Sequence, residues 1–197
     1  MRDTDLRVIK TQENIRSSFL GCLVEYGFLD MTVKNITEKA RINRSTFYKH
    51  YADKYDLRDK YVDDVIGDFV EHLDVHFIAL PRITIENYYK DLRICLEYFM
   101  RRREEYLILW EHTLVERNVF EEMIDGGVHK LVGEFEQTSD ISERKRQYYS
   151  LYARLFLGNM MVSVRWWFTE GQQVGADEFT RMMILHMTDG IFPTLKA

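Results

Sequence analysis

Proline is almost missing from this chain: Pro81 and Pro193 are the two it has in 197 residues. So few breaks leave room for long helices and argue against a turn-rich sheet protein, and the class this points to is all-α. Cysteine is equally sparse. Cys22 and Cys95 have neither disulfide-framework nor metal-ligand spacing, which predicts free buried thiols in a reducing compartment. No apolar run approaches the roughly 18 residues needed to span a bilayer, and no signal peptide precedes the first helix, so the expectation is a cytoplasmic protein without membrane partners. The sequence also lacks a nucleophile elbow, a phosphate-cradling glycine loop, a Cys-pair zinc pattern and a dinucleotide fingerprint. The carboxylate pairs Glu104-Glu105 and Glu121-Glu122 read as solvated helix faces. The expectation is therefore no enzyme, no cofactor and no bound metal.

What is present is an uneven charge. The chain carries a net charge of -5, yet residues 1–60 hold twelve Lys/Arg against nine Asp/Glu, whereas residues 61–197 hold fifteen against twenty-three. A basic head on an acidic body suggests that the head alone meets a polyanion.

The head explains why. Thr32 can cap a short helix over Val33–Ala40, whose Val33, Ile36 and Ala40 recur at helical spacing. Asn43 can cap a second over Arg44–Tyr51. In that helix Phe47 and Tyr51 share an inward face, leaving Arg44, Ser45, Thr46, Tyr48, Lys49 and His50 open with no carboxylate among them. Two short helices joined by a tight turn, the second donor-rich, read as a helix-turn-helix whose later helix enters the major groove.

The run from Thr32 to Leu57, with T-F-Y-K-H-Y followed by D-K-x-x-L, closely resembles the DNA-binding domain of TetR-family transcriptional regulators. It departs from the family at Arg41, where Gly is usual in the turn; a left-handed residue other than Gly costs roughly 1 kcal/mol. The resemblance implies an N-terminal three-helix helix-turn-helix domain over residues 1–55, a connecting helix over 54–79, and a helical ligand-binding and dimerisation domain over 56–197. It implies a transcriptional repressor that binds a palindromic double-stranded DNA operator as a homodimer and is released by a small-molecule effector; the alternative is a ligand-independent or co-regulatory protein-interaction module that retains the helix-turn-helix. Carried over residue by residue, Arg44 and Thr46 are candidates for base edges, Tyr48 and His50 for phosphate or base, and Thr32 and Lys54 for phosphates. Ser45 and Lys49 complete the donor set.

Along the rest of the chain, a first helix is expected from about Thr11 to Tyr26, its Ile15, Phe19, Cys22, Leu23 and Tyr26 forming one stripe, with Gly27 ending it. Asp53 can cap a long helix from Lys54 to about Ile78, stopped before Pro81. It carries His72 and His76 at i, i+4, without the Glu of a metalloprotease helix or an assignable third ligand. Further helices are expected near 83–103, 104–112, 118–137, 142–170 and 177–192, with Gly126-Gly127 as a break. The 142–170 and 177–192 helices are apolar on two faces, which predicts a four-helix seam between two copies. Candidates for that seam are Phe156, Trp167, Phe179, Met183 and Met187. For the effector the candidates are Tyr106, Trp110, Phe120, Tyr152 and Met160, whose apolar bodies and polar tips suit a small-molecule cavity.

Overall fold

In the computed structural model, which describes residues 3–80, 82–138 and 143–190, the regular elements are all helical: no strand occurs among the described residues. They are α1 (Asp3–Asp30), α2 (Val33–Lys39), α3 (Arg44–Phe47), α4 (Lys54–His72), a 3-10 helix (His76–Ala79), α5 (Ile85–Arg101), α6 (Arg103–Leu109), α7 (His112–Val115), α8 (Val119–Thr138), α9 (Glu143–Thr169) and α10 (Ala176–Asp189). The expected last turn through Phe192 lies outside the described residues.

The chain forms two compact units, Met1–Ile66 with Glu104–Phe120 and Gly67–Arg103 with Glu121–Ala197. Neither is a continuous stretch. A division at residue 55 is therefore not where compactness changes: α4 up to Ile66 and the α6–α7 segment are part of the first unit.

In the first unit, Ile15, Phe19, Cys22 and Leu23 of α1 are fully buried, as their spacing predicts. Tyr26 is not in that stripe but 40% exposed. Gly27 ends the regular helix as expected, at φ 70°, a backbone region open to glycine, and a second short helical segment continues α1 beyond it to Asp30. The chain beyond the kink turns Phe28 and Met31 inward instead. α7 packs on α1, burying Val115, and Arg117 donates to the Asp63 carboxylate of α4 at 2.6 Å. Tyr106 stacks on Trp110 (5.5 Å) and Trp110 meets Phe120 edge-on (5.2 Å).

In the second unit, α4 stops at His72, six residues short of the expected end. The Lys130 ammonium of α8 takes the carbonyls of Val70, Glu71 and Leu73 at 2.7 to 3.1 Å, satisfying the orphan acceptors of a helix C-terminus. Asp74 Oδ1 then accepts from the His76 amide at 3.1 Å and starts the 3-10 turn. α8 runs unbroken through Gly126-Gly127, and the pair is a packing feature rather than a break: a Cβ on Gly127 would lie 2.7 Å from Leu157 and 3.2 Å from Leu73.

α9 has two apolar faces with different fates. Ala153, Leu157, Met160, Val164, Trp167 and Phe168 are buried, whereas Tyr148, Leu151, Tyr152, Leu155, Val162 and Trp166 are exposed. α10 packs on α5, and Arg93 Nε reaches Asp177 at 2.8 Å.

Candidate nucleic-acid interface

The helix-turn-helix is built from local chemistry. Thr32 caps α2 in a capping box: its hydroxyl accepts from the Asn35 amide at 3.2 Å, and Asn35 Oδ1 accepts from the Thr32 amide at 2.9 Å. The Thr32 hydroxyl also donates to Asn35 Oδ1, so its side chain is spent on the helix and not held ready for a phosphate. α2 packs on α1, and the Lys39 side chain lies over Gly21; a Cβ there would come within 2.5 Å of Lys39 Cε. Lys39 continues to Glu25 at 2.8 Å, which raises the ammonium's pKa and holds the carboxyl below its usual range. Ala40 is buried, and its carbonyl accepts from Asn14 Nδ2 at 2.6 Å. The turn is then made by Arg41 at φ 54°, a left-handed residue that keeps the expected geometry without the family's glycine.

α3 is shorter than its pattern suggests. It spans Arg44–Phe47, after which the chain tightens into i→i+3 bonds, Lys49 N to Thr46 O and His50 N to Phe47 O at 3.3 and 2.9 Å. Asn43 sits at the N-cap in extended conformation but makes no side-chain cap bond. Phe47 and Tyr51 are buried, their rings 5.7 Å apart, and fix the face that points outward. On that face Arg44, Ser45, Tyr48 and Lys49 are exposed and Thr46 and His50 half-buried. The structure thus brings six of the eight sequence candidates to one surface. The nearest acids in the chain face elsewhere: Asp53 Oδ1 caps α4 through the Tyr55 and Asp56 amides at 2.8 Å, and Asp56 accepts from Ala52 N and Lys60 at 2.9 Å.

Lys54 is the correction within this set. Its Nζ donates to Phe28 O, Leu29 O and Met31 O at 2.9, 2.9 and 2.8 Å, closing the end of α1. With all three hydrogens placed, it holds the domain together and has none to offer a phosphate. Two exposed cations that the sequence reading did not select are Lys34, 3.7 Å from Glu38, and Arg41 in the turn itself. Their signal was a basic residue on a short element already identified as DNA-facing.

The other candidate sets divide differently from expectation. Tyr106, Trp110 and Phe120 belong to the first unit, while Tyr152 and Met160 belong to the second, so the five are not a set within either. Of the seam candidates, Trp167, Phe179 and Met183 are in the core of the second unit: Trp167 stacks on Phe179 at 4.3 Å and donates Nε1 to Val174 O at 2.8 Å. A ring buried inside one protomer has no surface left for a partner. Phe156 and Met187 instead join Tyr152 and Met160 around a cleft of about 340 Å³ between α9 and α10, which the buried Met183 also lines. Its polar element is the Asn159 Nδ2 to His186 Nε2 contact at 2.7 Å.

A capped short helix, a left-handed turn and a second short helix with a donor-only outer face define a helix-turn-helix DNA-binding protein. Comparison with known proteins bears on the same segment: residues 20–61 match the model of bacterial regulatory proteins, tetR family, so this N-terminal stretch is similar to the DNA-binding domain of those regulators. It is 33% identical over 75 residues to YxbF of Bacillus subtilis (strain 168), an uncharacterised HTH-type transcriptional regulator; that match covers 38% of this chain and 20% of YxbF. Among solved structures, a TetR transcriptional regulator from Streptococcus agalactiae 2603V superimposes with a TM-score of 0.59 at 17% identity, covering 94% of this chain and 97% of the other. A protein of Syntrophomonas wolfei str. Goettingen assigned to the TetR family gives 0.63 at 14%, covering 89% and 91%. These two likenesses extend the fold, helix-turn-helix followed by a helical domain, to nearly the whole chain.

Proposed function

We propose that this chain is a cytoplasmic repressor that binds a palindromic operator as a homodimer and is released by a small organic effector. The observation that carries the DNA-binding part is the outer face of α3 and the turn after it, where Arg44, Ser45, Thr46, Tyr48, Lys49 and His50 offer donors and no carboxylate. Arg44 and Thr46 suit base edges, and Tyr48, 54% exposed, and His50 suit phosphate or base. The dimer reading is supported by the open stripe of α9, in which Tyr148, Tyr152, Leu155, Asn159, Val162 and Trp166 follow the alternating four- and three-residue steps of a helix seam, apolar or aromatic at every position but Asn159. A dimer reads two half-sites only when its recognition helices lie about one DNA turn, roughly 34 Å, apart. An effector that favours any other spacing releases the operator by its differential affinity, and the operator weakens the effector equally.

The test selects duplexes from a random pool with the wild-type protein and then measures their binding by Tyr48→Ala/His50→Ala. The expected result is a two-fold symmetric site and a double variant that binds it no better than random DNA, with helicity by circular dichroism unchanged. A double variant that binds the selected site normally overturns the assignment.

A further inference from the structure

The second unit contains a cavity of about 290 Å³ between the end of α4, the 3-10 helix and α5, distinct from the α9–α10 cleft. Its floor is one face of α5. Asp91, Ile94, Cys95, Tyr98 and Arg101 follow one another at helical steps, so a carboxylate stands at one end and a guanidinium at the other. Ten residues of helix separate the two α-carbons by about 15 Å, too far for a mutual ion pair. Each lacks a hydrogen-bond or ion-pair partner among the described residues. The neighbouring charges are already matched. Glu97 pairs with Arg93, and Asp68 accepts from Tyr98 Oη and Arg102.

The opposite wall reinforces this polarity. Asp74 and Asp91 both line the cavity, and burial pushes the Tyr88 hydroxyl of α5 far above its ordinary range, with the Asp74 carboxylate, to which it hydrogen-bonds, adding to the shift. Oδ1 of Asp74 is engaged by His76 Nδ1 at 2.7 Å, and its Oδ2 is buried without a hydrogen bond of standard geometry. His76 therefore carries its proton on Nδ1. His72 does so too, because its Nδ1 faces the Asp68 carbonyl at 2.9 Å, and a carbonyl can only accept. His72 lies flat on Tyr98 at 3.8 Å, giving the middle of the cavity an aromatic wall. A bare metal ion fits less well: the group of three ligand atoms that converges among the described residues is Asp68, Glu71 and His72, and Asp68 there is already neutralised by Arg102.

We infer that this cavity binds a linear zwitterion, its ammonium at the Asp74–Asp91 end, its carboxylate at Arg101 and an unbranched apolar chain across Ile94, Cys95 and Tyr98. That occupancy releases DNA rests on the effector-responsive reading above; the binding itself does not.

Three probes of one chain length separate the parts: 6-aminohexanoate, hexylammonium and hexanoate, titrated calorimetrically into the full-length protein. The zwitterion is expected to bind about tenfold more tightly than either singly charged probe, the difference of one charge-assisted hydrogen bond at an open site. Asp91→Asn is expected to weaken 6-aminohexanoate and hexylammonium and leave hexanoate unchanged; Arg101→Gln is expected to weaken 6-aminohexanoate and hexanoate and leave hexylammonium unchanged. Neither side chain has a hydrogen-bond or ion-pair partner among the described residues, so both variants are expected to fold, which circular dichroism checks. Equal affinity for the three probes, no binding at millimolar concentration, or variants that weaken all probes alike would overturn the inference. If the predicted pattern is found while operator affinity stays constant with saturating 6-aminohexanoate, the site stands and the effector reading of this cavity falls.

Discussion

An ammonium group has three hydrogens, and at Lys54 all three are given to carbonyls at the end of α1, while five residues earlier Lys49 gives none to the protein fold and stays exposed. Substitution should separate the two roles. Lys54→Ala is expected to lower stability by about 2 kcal/mol, a drop of several degrees in Tm, without changing the salt dependence of DNA binding. Lys49→Ala is expected to leave Tm unchanged and flatten the slope of log affinity against log salt by about one. Melting curves and binding titrations across salt check both; a flatter slope in Lys54→Ala would return it to the phosphate contacts. Sequence showed the charge of Lys54 but not its destination, because Phe28, Leu29 and Met31 come near it only through the Gly27 kink. Arg44, Tyr48 and Lys49 were legible for the opposite reason: their exposure follows from local helix period and the inward Phe47 and Tyr51.

Pairing of elements shows the same contrast between local and distant causes. The capping box of α2 and the Asp53 cap of α4 lie within three residues and were readable in order. The early end of α4 was not, since it depends on Lys130, 57 to 60 residues further on. Another distant pairing joins α5 and α10, where Arg93 first, and then the Tyr89 hydroxyl, holds the Asp177 carboxyl below its usual range. A depressed carboxyl contributes stability above its unfolded pKa and loses it as pH falls through the folded value. The Tm gap between wild type and Asp177→Asn is therefore expected to be constant from neutral pH to about pH 4 and to close at lower pH. Thermal unfolding from pH 7 to 3 measures it, and a gap that persists at pH 3 would count against the pairing.

At the scale of the molecule, the two-faced pattern of α9 was legible as a demand for two coverings, but not which stripe each covering takes. The structure assigns the Trp167 stripe to the protomer's own core and leaves the Leu155 stripe open. Leu155→Glu, at a position 58% exposed, is thus expected to give a folded monomer, because a carboxylate carried into an apolar seam twice over costs several kcal/mol. Met183→Glu, at 3% exposed, is expected to unfold the protein instead. Light scattering at micromolar concentration with circular dichroism distinguishes these, and a dimeric Leu155→Glu would remove this stripe from the seam. The interleaving of the two units has a consequence of another kind, in the order of synthesis. The DNA-binding unit includes Glu104–Phe120, whose α7 covers α1. Translation at about 5–20 residues per second makes that covering available only some 3–11 s after Ile66 has been added. During that interval the nascent helix-turn-helix has its recognition surface in sequence but not its complete support, so a ribosome stalled between residues 66 and 104 carries a head whose α1 is still open to chaperones.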